Sequence, residues 1–155
     1  MKLSDIIVPD AVIPSLAATT RDEAIAELLG ALADTGAINT DSVGDITEAL
    51  LAREAQATTG IGNGVAFPHA RIKGVKKPLG AVGCSAEGID FNSLDAHPVD
   101  LVVLLLSNSE EPGEHLEAME AVLRHIQRQA FRDELRSCKT RDEIADRVEK
   151  ADQVE

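Results

Sequence analysis

Residues 99–106 read VDLVVLLL, an aliphatic run broken only by Asp100. The run is far shorter than the ~20 residues that cross a bilayer, and it lacks the two-residue alternation of a half-exposed strand. It predicts a strand buried on both faces. Such a strand needs helices above and below it. The stretch therefore predicts a single α/β domain of three layers over residues 1–155.

The helices are visible on either side. TRDEAIAELLGALADTG (20–36) opens with a capping box, Thr20 and Glu23. Ile25, Leu28, Leu29 and Leu32 follow at helical spacing, and Gly36 stands where a helix-ending glycine belongs. A second helix is predicted from about Asp41 to Gln56, with Val43, Ile46, Leu50 and Leu51 on one side. Val65–Phe67 and LGAVGCS (79–85) read as strands. A long helix is predicted from about Glu114 to Phe131. A last one, Arg141–Glu149, starts with a second capping box at Thr140 and Glu143. TRDE occurs at 20–23 and at 140–143, but the flanks differ, so these are two independent helix starts.

Composition removes several classes of function. The 27 acidic and 15 basic residues give a net charge of −12, which repels nucleic acid and anionic lipid. There is no Trp or Tyr, and only Phe67, Phe91 and Phe131, so stacking platforms for bases or sugars are disfavoured. The N-terminus carries Asp5 and Asp10 and reads as no secretory signal, so a cytoplasmic location without membrane insertion is expected. Cys84 and Cys138 form no CxxC pair, and the four histidines show no zinc spacing. No metal and no organic cofactor is expected.

One segment departs from the average. Ala55–Ala86 contains no Asp or Glu but holds Arg71, Lys73, Lys76 and Lys77, a local +4 in a chain that carries −16 elsewhere. That points to an anion. Gly60, Gly62 and Gly64 allow a sharp turn or close ligand approach, but they match neither a Walker loop nor G-x-G-x-x-G. Pro68-His69 places a neutral, nucleophilic imidazole behind a fixed backbone. Such a ring can carry a phosphoryl group. The hydroxyls of Thr58 and Thr59, the backbone amides of Gly62 and Asn63 and the guanidinium of Arg53 are candidates to hold its oxygens.

RE-x4-TGIGNGVAFPHAR (53–71), GIDFNSLDAHPVDLVVLLL (88–106) and HLEAMEAVL (115–123) together resemble the fructose/mannitol-type enzyme IIA domains of the bacterial phosphoenolpyruvate:sugar phosphotransferase system. Nitrogen-regulatory enzyme IIA proteins share the first segment. The resemblance covers about residues 3–148. It implies an α/β domain whose mixed β-sheet is flanked by helices on both sides. It implies that His69 is phosphorylated on Nε2, that Arg53 is the active-site arginine, and that His115 is a second histidine that assists. It further implies phosphate from HPr, a small phosphocarrier protein, and delivery to an enzyme IIB. Two alternatives are a regulatory role governed by phosphorylation state and a non-catalytic anion- or partner-binding module on the same fold. His115 also fits unaided, because a helix start favours a neutral imidazole and an anion beside it.

The remaining residues carry bland expectations. His97 reads as a turn residue and His125 as surface or packing. Cys84 reads as a buried small hydrophobe. Arg124, Arg128, Arg132 and Arg136 read as a solvated basic stripe. The acids Glu110–Glu120 around His115 suit a helix start.

Overall fold

The computed structural model describes residues 1–153. In chain order the elements are α1 (Leu3–Ile6), β1 (Ile7–Ile13), α2 (Arg21–Asp34), a 3-10 turn (Thr40–Ser42), α3 (Val43–Gln56), β2 (Gly60–Gly62), β3 (Val65–Ala66) and β4 (His69–Ile72). Then come β5 (Leu79–Ile89), β6 (Val99–Asn108), α4 (Pro112–Ile126), α5 (Gln129–Ser137) and α6 (Arg141–Ala151).

The aliphatic run is the spine of the sheet. Along β6, Leu101, Val103 and Leu105 enter one core while Val102, Leu104 and Leu106 enter the other. The first core is closed by α1, α4, α5 and α6, through Ile6, Val122, Leu135 and Ile144 among others. The second is closed by α2 and α3, through Ile25, Leu28, Leu32 and Leu50. Three layers and a mixed sheet result, as expected. The strand order is β1-β5-β6-β3-β2, with β4 also on β6. Strands β1 and β5 are parallel, β5 and β6 antiparallel, and β3 and β4 both run parallel to β6.

The capping box at Thr20 forms in full, whereas at Thr140 only the threonine half forms, the Glu143 carboxylate accepting the Lys139 amide at 3.3 Å instead. Thr20 Oγ1 accepts the Glu23 amide at 3.2 Å, and Thr140 Oγ1 accepts that of Glu143 at 3.2 Å. Gly36 takes φ 79° just beyond α2. Three expectations need correcting. The long helix at 114–131 is two helices, α4 and α5, separated at Gln127 and Arg128. The stop is made by a side chain, since the buried Arg132 donates to the carbonyl of Ile126 at 2.8 Å. The arginine stripe therefore divides, because Arg132 is buried and Arg136 pairs with Asp100 at 3.0 Å. Finally, α1, β1, β2 and β4 are elements that the sequence pattern does not announce.

The break between β3 and β4 shapes the surroundings of His69. Val65 and Ala66 face Leu101 and Val102, and His69 faces Leu105. The offset is the same on both sides, so this is one strand in register, interrupted at Phe67-Pro68. Pro68 has no N–H to give the ladder, but its carbonyl still accepts Leu105 N at 2.9 Å. The interruption frees the Phe67 carbonyl for another partner.

Candidate functional site

A pocket of about 540 Å3 opens at the free side of β4, between the last turns of α3 and the start of α4. Arg53 and Gln56 line it from α3, His69 and Arg71 from β4, and His115 from α4. The imidazoles of His69 and His115 lie with centroids 6.0 Å apart and planes inclined by 40°. Three of the sequence candidates, His69, His115 and Arg53, are thus brought together.

The tautomer of His69 is set by its partner. Nδ1 lies 2.8 Å from the carbonyl oxygen of Phe67. A carbonyl only accepts, so Nδ1 carries the hydrogen and Nε2 keeps its lone pair. A buried chain of bonds holds that carbonyl in place. Glu54, in the last turn of α3, accepts the Thr59 amide at 3.1 Å and also the Thr59 hydroxyl. The Thr59 carbonyl accepts the Phe67 amide at 2.9 Å, and the Phe67 carbonyl takes His69.

The partner of His115 is the hydroxyl of Ser107, a buried residue near the end of β6, which meets Nδ1. Arg53 donates to the Ala57 carbonyl at 2.8 Å, which ties its guanidinium to the end of α3. Burial holds His69 below the ordinary histidine range; Arg53 adds to this, while the Phe67 carbonyl and Glu54 oppose it. Burial also lowers His115, with His69 and Arg71 acting in the same direction.

Both rings are therefore held toward the neutral form, and in His69 that form leaves the Nε2 lone pair free. The neutral form is the reactive one, so lowering the titration point extends reactivity toward acid. Ring titration by NMR should give a His69 midpoint below about 6.5, the ordinary value. A midpoint at or above that value contradicts this geometry.

The structure places four other candidates away from the pocket. Thr58 Oγ1 donates to the Phe91 carbonyl at 2.6 Å and accepts the Gly60 amide at 3.0 Å. Thr59 is buried on Glu54. Gly62 and Asn63 belong to the tight hairpin between β2 and β3. Asn63 (φ 58°) and Gly64 (φ 74°) supply the two positive φ values of a type I′ turn. That turn packs against Arg136, which donates to the Asn63 carbonyl. The glycine run is thus a hairpin signal, legible in Asn63-Gly64, and none of its residues lines the His69 pocket.

The basic segment also divides. Arg71 lines the pocket, whereas Lys73, Lys76 and Lys77 surround a different cavity. In the sequence Arg71 stands out only as part of a charge run. Ser107 and Glu54 are site residues that sequence reasoning missed, though Ser107 is the first polar residue after the aliphatic run.

The other expectations resolve simply. His97 sits exposed in a turn, its amide on Asp95 at 3.1 Å. His125 is buried and 3.4 Å from Asp152, whose carboxylate also accepts the Leu3 amide at 2.8 Å. It joins α4, α6 and α1. Cys84 and Cys138 are buried free thiols, and burial pushes Cys84 up to about 11. No helix among the described residues is long and apolar enough to cross a membrane.

Comparison with known proteins gives a consistent picture. The family described as phosphoenolpyruvate-dependent sugar phosphotransferase system, EIIA 2, matches residues 5–151. A nitrogen regulatory protein of Bradyrhizobium diazoefficiens is 34% identical over 137 residues, 88% of each chain. A PTS system fructose-specific EIIA component of Haloferax volcanii is 35% identical over 127 residues, 82% of this chain and 81% of that one. The crystal structure of nitrogen regulatory protein IIA-Ntr from Neisseria meningitidis superposes with a TM-score of 0.83 at 27% identity, covering 94% of this chain and 98% of the other.

Proposed function

Because the chain belongs to the EIIA 2 family of the phosphoenolpyruvate-dependent sugar phosphotransferase system, we propose that it is a phosphohistidine carrier. In this reading His69 accepts phosphate from an HPr-like phosphocarrier protein and passes it to an enzyme IIB, in the bacterial cytoplasm. The observation that carries the reading is the Nδ1 bond of His69 to the Phe67 carbonyl. It leaves a bare Nε2 in a pocket shared with two guanidinium groups and a second imidazole.

The Nε2 lone pair attacks the phosphorus of the donor's phosphohistidine. A new N–P bond forms as the donor's N–P bond breaks, and the donor ring keeps that electron pair. The Nδ1–H stays on Phe67 O, where it stabilises the positive charge the ring gains. No proton has to leave His69. Arg53 and Arg71 neutralise the phosphoryl oxygens. With the Ser107 hydroxyl donating to its Nδ1, His115 presents Nε2–H to the same group. Transfer between two imidazoles is nearly balanced, so the task is positioning and charge neutralisation. The chemistry needs no organic cofactor.

The nitrogen regulatory relatives favour a second reading of the later step. There the chain accepts phosphate in the same way and then acts on partner proteins according to its phosphorylation state. The two readings separate in one experiment. The protein is phosphorylated on His69 and mixed with purified enzyme IIB domains of the fructose and mannitol types. The carrier reading expects the label to move to an enzyme IIB within seconds. Retention of the label by the chain in every mixture overturns delivery and leaves the regulatory reading.

A further inference from the structure

A second cavity, of about 460 Å3, lies on the side of the sheet covered by α2 and α3. Its rim is the loop after β4, which carries Lys73, Lys76 and Lys77. Its floor is aliphatic, made of Ile38, Ile46, Ile72 and Leu79. Among the described residues, no Asp or Glu lines it. This volume falls within the range of small-molecule sites, which pair an apolar wall with a few polar groups.

The charges are unusual for this chain. Among the described residues none of the three lysines makes an ion pair, in a protein with 27 acidic residues. Three like charges within five residues repel one another, and the loop sets all three residues on the rim of one cavity. Gly74 turns it at φ 97°, and the buried Val75 anchors it, its amide reaching the Ile72 carbonyl at 3.4 Å. Ser42, at the start of α3, lines the same cavity and makes no capping hydrogen bond. Its hydroxyl is available to a ligand.

We propose that this cavity is a second anion site, one that takes an organic phosphate. Lys73, Lys76 and Lys77 hold the phosphate, and the aliphatic floor receives the carbon body. Lysine ammonium groups suit phosphate as point charges. The floor gives an organic ester an advantage over the free ion. The site is separate from the His69 pocket, yet β4 joins them directly, running from His69 to Ile72. The inference does not depend on His69 accepting phosphate.

The test uses the full chain, 15N-labelled, at 50 mM salt. It is titrated separately with AMP, with citrate and with inorganic phosphate, and followed by amide chemical shifts. AMP is expected to move the amides of Asn39, Ser42 and Val75 with a sub-millimolar Kd, at least tenfold tighter than inorganic phosphate. Lys76→Ala with Lys77→Ala should weaken AMP at least tenfold and leave phosphorylation of His69 unchanged. Citrate binding as tightly as AMP at the same amides overturns the phosphate assignment in favour of carboxylates. Shifts confined to the His69 pocket, shifts unaltered in the double variant, or no shift at 10 mM AMP overturn the site altogether.

Discussion

His69→Ala is expected to abolish phosphoryl acceptance. Incubated with phosphoenolpyruvate, enzyme I and HPr, the wild-type chain should take up one acid-labile phosphate and the variant none. The effect is total because the ring nitrogen forms the covalent bond and nothing else present replaces it. His115 does not substitute. Its centroid is 6.0 Å away and its Nδ1 is engaged by Ser107. The fold should survive the change. His69 is half-buried beside an open pocket, and its Nδ1 bond to Phe67 is worth about 1 kcal/mol. Circular dichroism and the urea midpoint should therefore stay near wild type. Labelling of His69→Ala at the wild-type level would contradict the role given to this residue.

The second large effect is on stability. Leu104→Ala should cost about 3–5 kcal/mol, read from urea unfolding. Leu104 is fully buried in the central strand, packed in the core under α2 and α3. Truncation loses the burial of three carbons and leaves a hole that β6 cannot close. The strand is held by β5 on one side and by β3 and β4 on the other. The penalty is a large share of the 5–15 kcal/mol typical of a domain. A cost under about 1 kcal/mol would mean that the strand is not locked in this way.

The same strand shows why so much of the fold is legible in the sequence. VDLVVLLL has one reading because its two faces feed two cores, and TRDE starts a helix twice because its bonds are local. The features that escape a sequence reading depend on distant partners. The α4–α5 break has no Gly or Pro, and it is set when Arg132 takes the Ile126 carbonyl. β1 contains Pro9, which argues against a strand. It is tolerated because β1 is the outer strand, with Pro9 exposed and the register irregular between Ile7 and Val12.

The site divides along the same line. His69 and Arg53 lie in one recognisable string, and His115 leads another. Thr58, Thr59, Gly62 and Asn63 sit in the same string as His69, yet their groups point to other work. Closeness in sequence puts them with His69, but the interrupted strand and the tight hairpin carry them elsewhere. Arg71, Glu54 and Ser107 act through geometry that only the folded chain displays.

The central claim is that Nε2 of His69 receives the phosphoryl group while Nδ1 keeps its hydrogen on the Phe67 carbonyl. The most direct measurement is one-bond 15N–31P coupling in the histidine-labelled, phosphorylated chain. Phosphorus is expected on Nε2 of His69, with a protonated, hydrogen-bonded Nδ1 in the same ring. Phosphorus on Nδ1 of His69, or on His115, would contradict the claim.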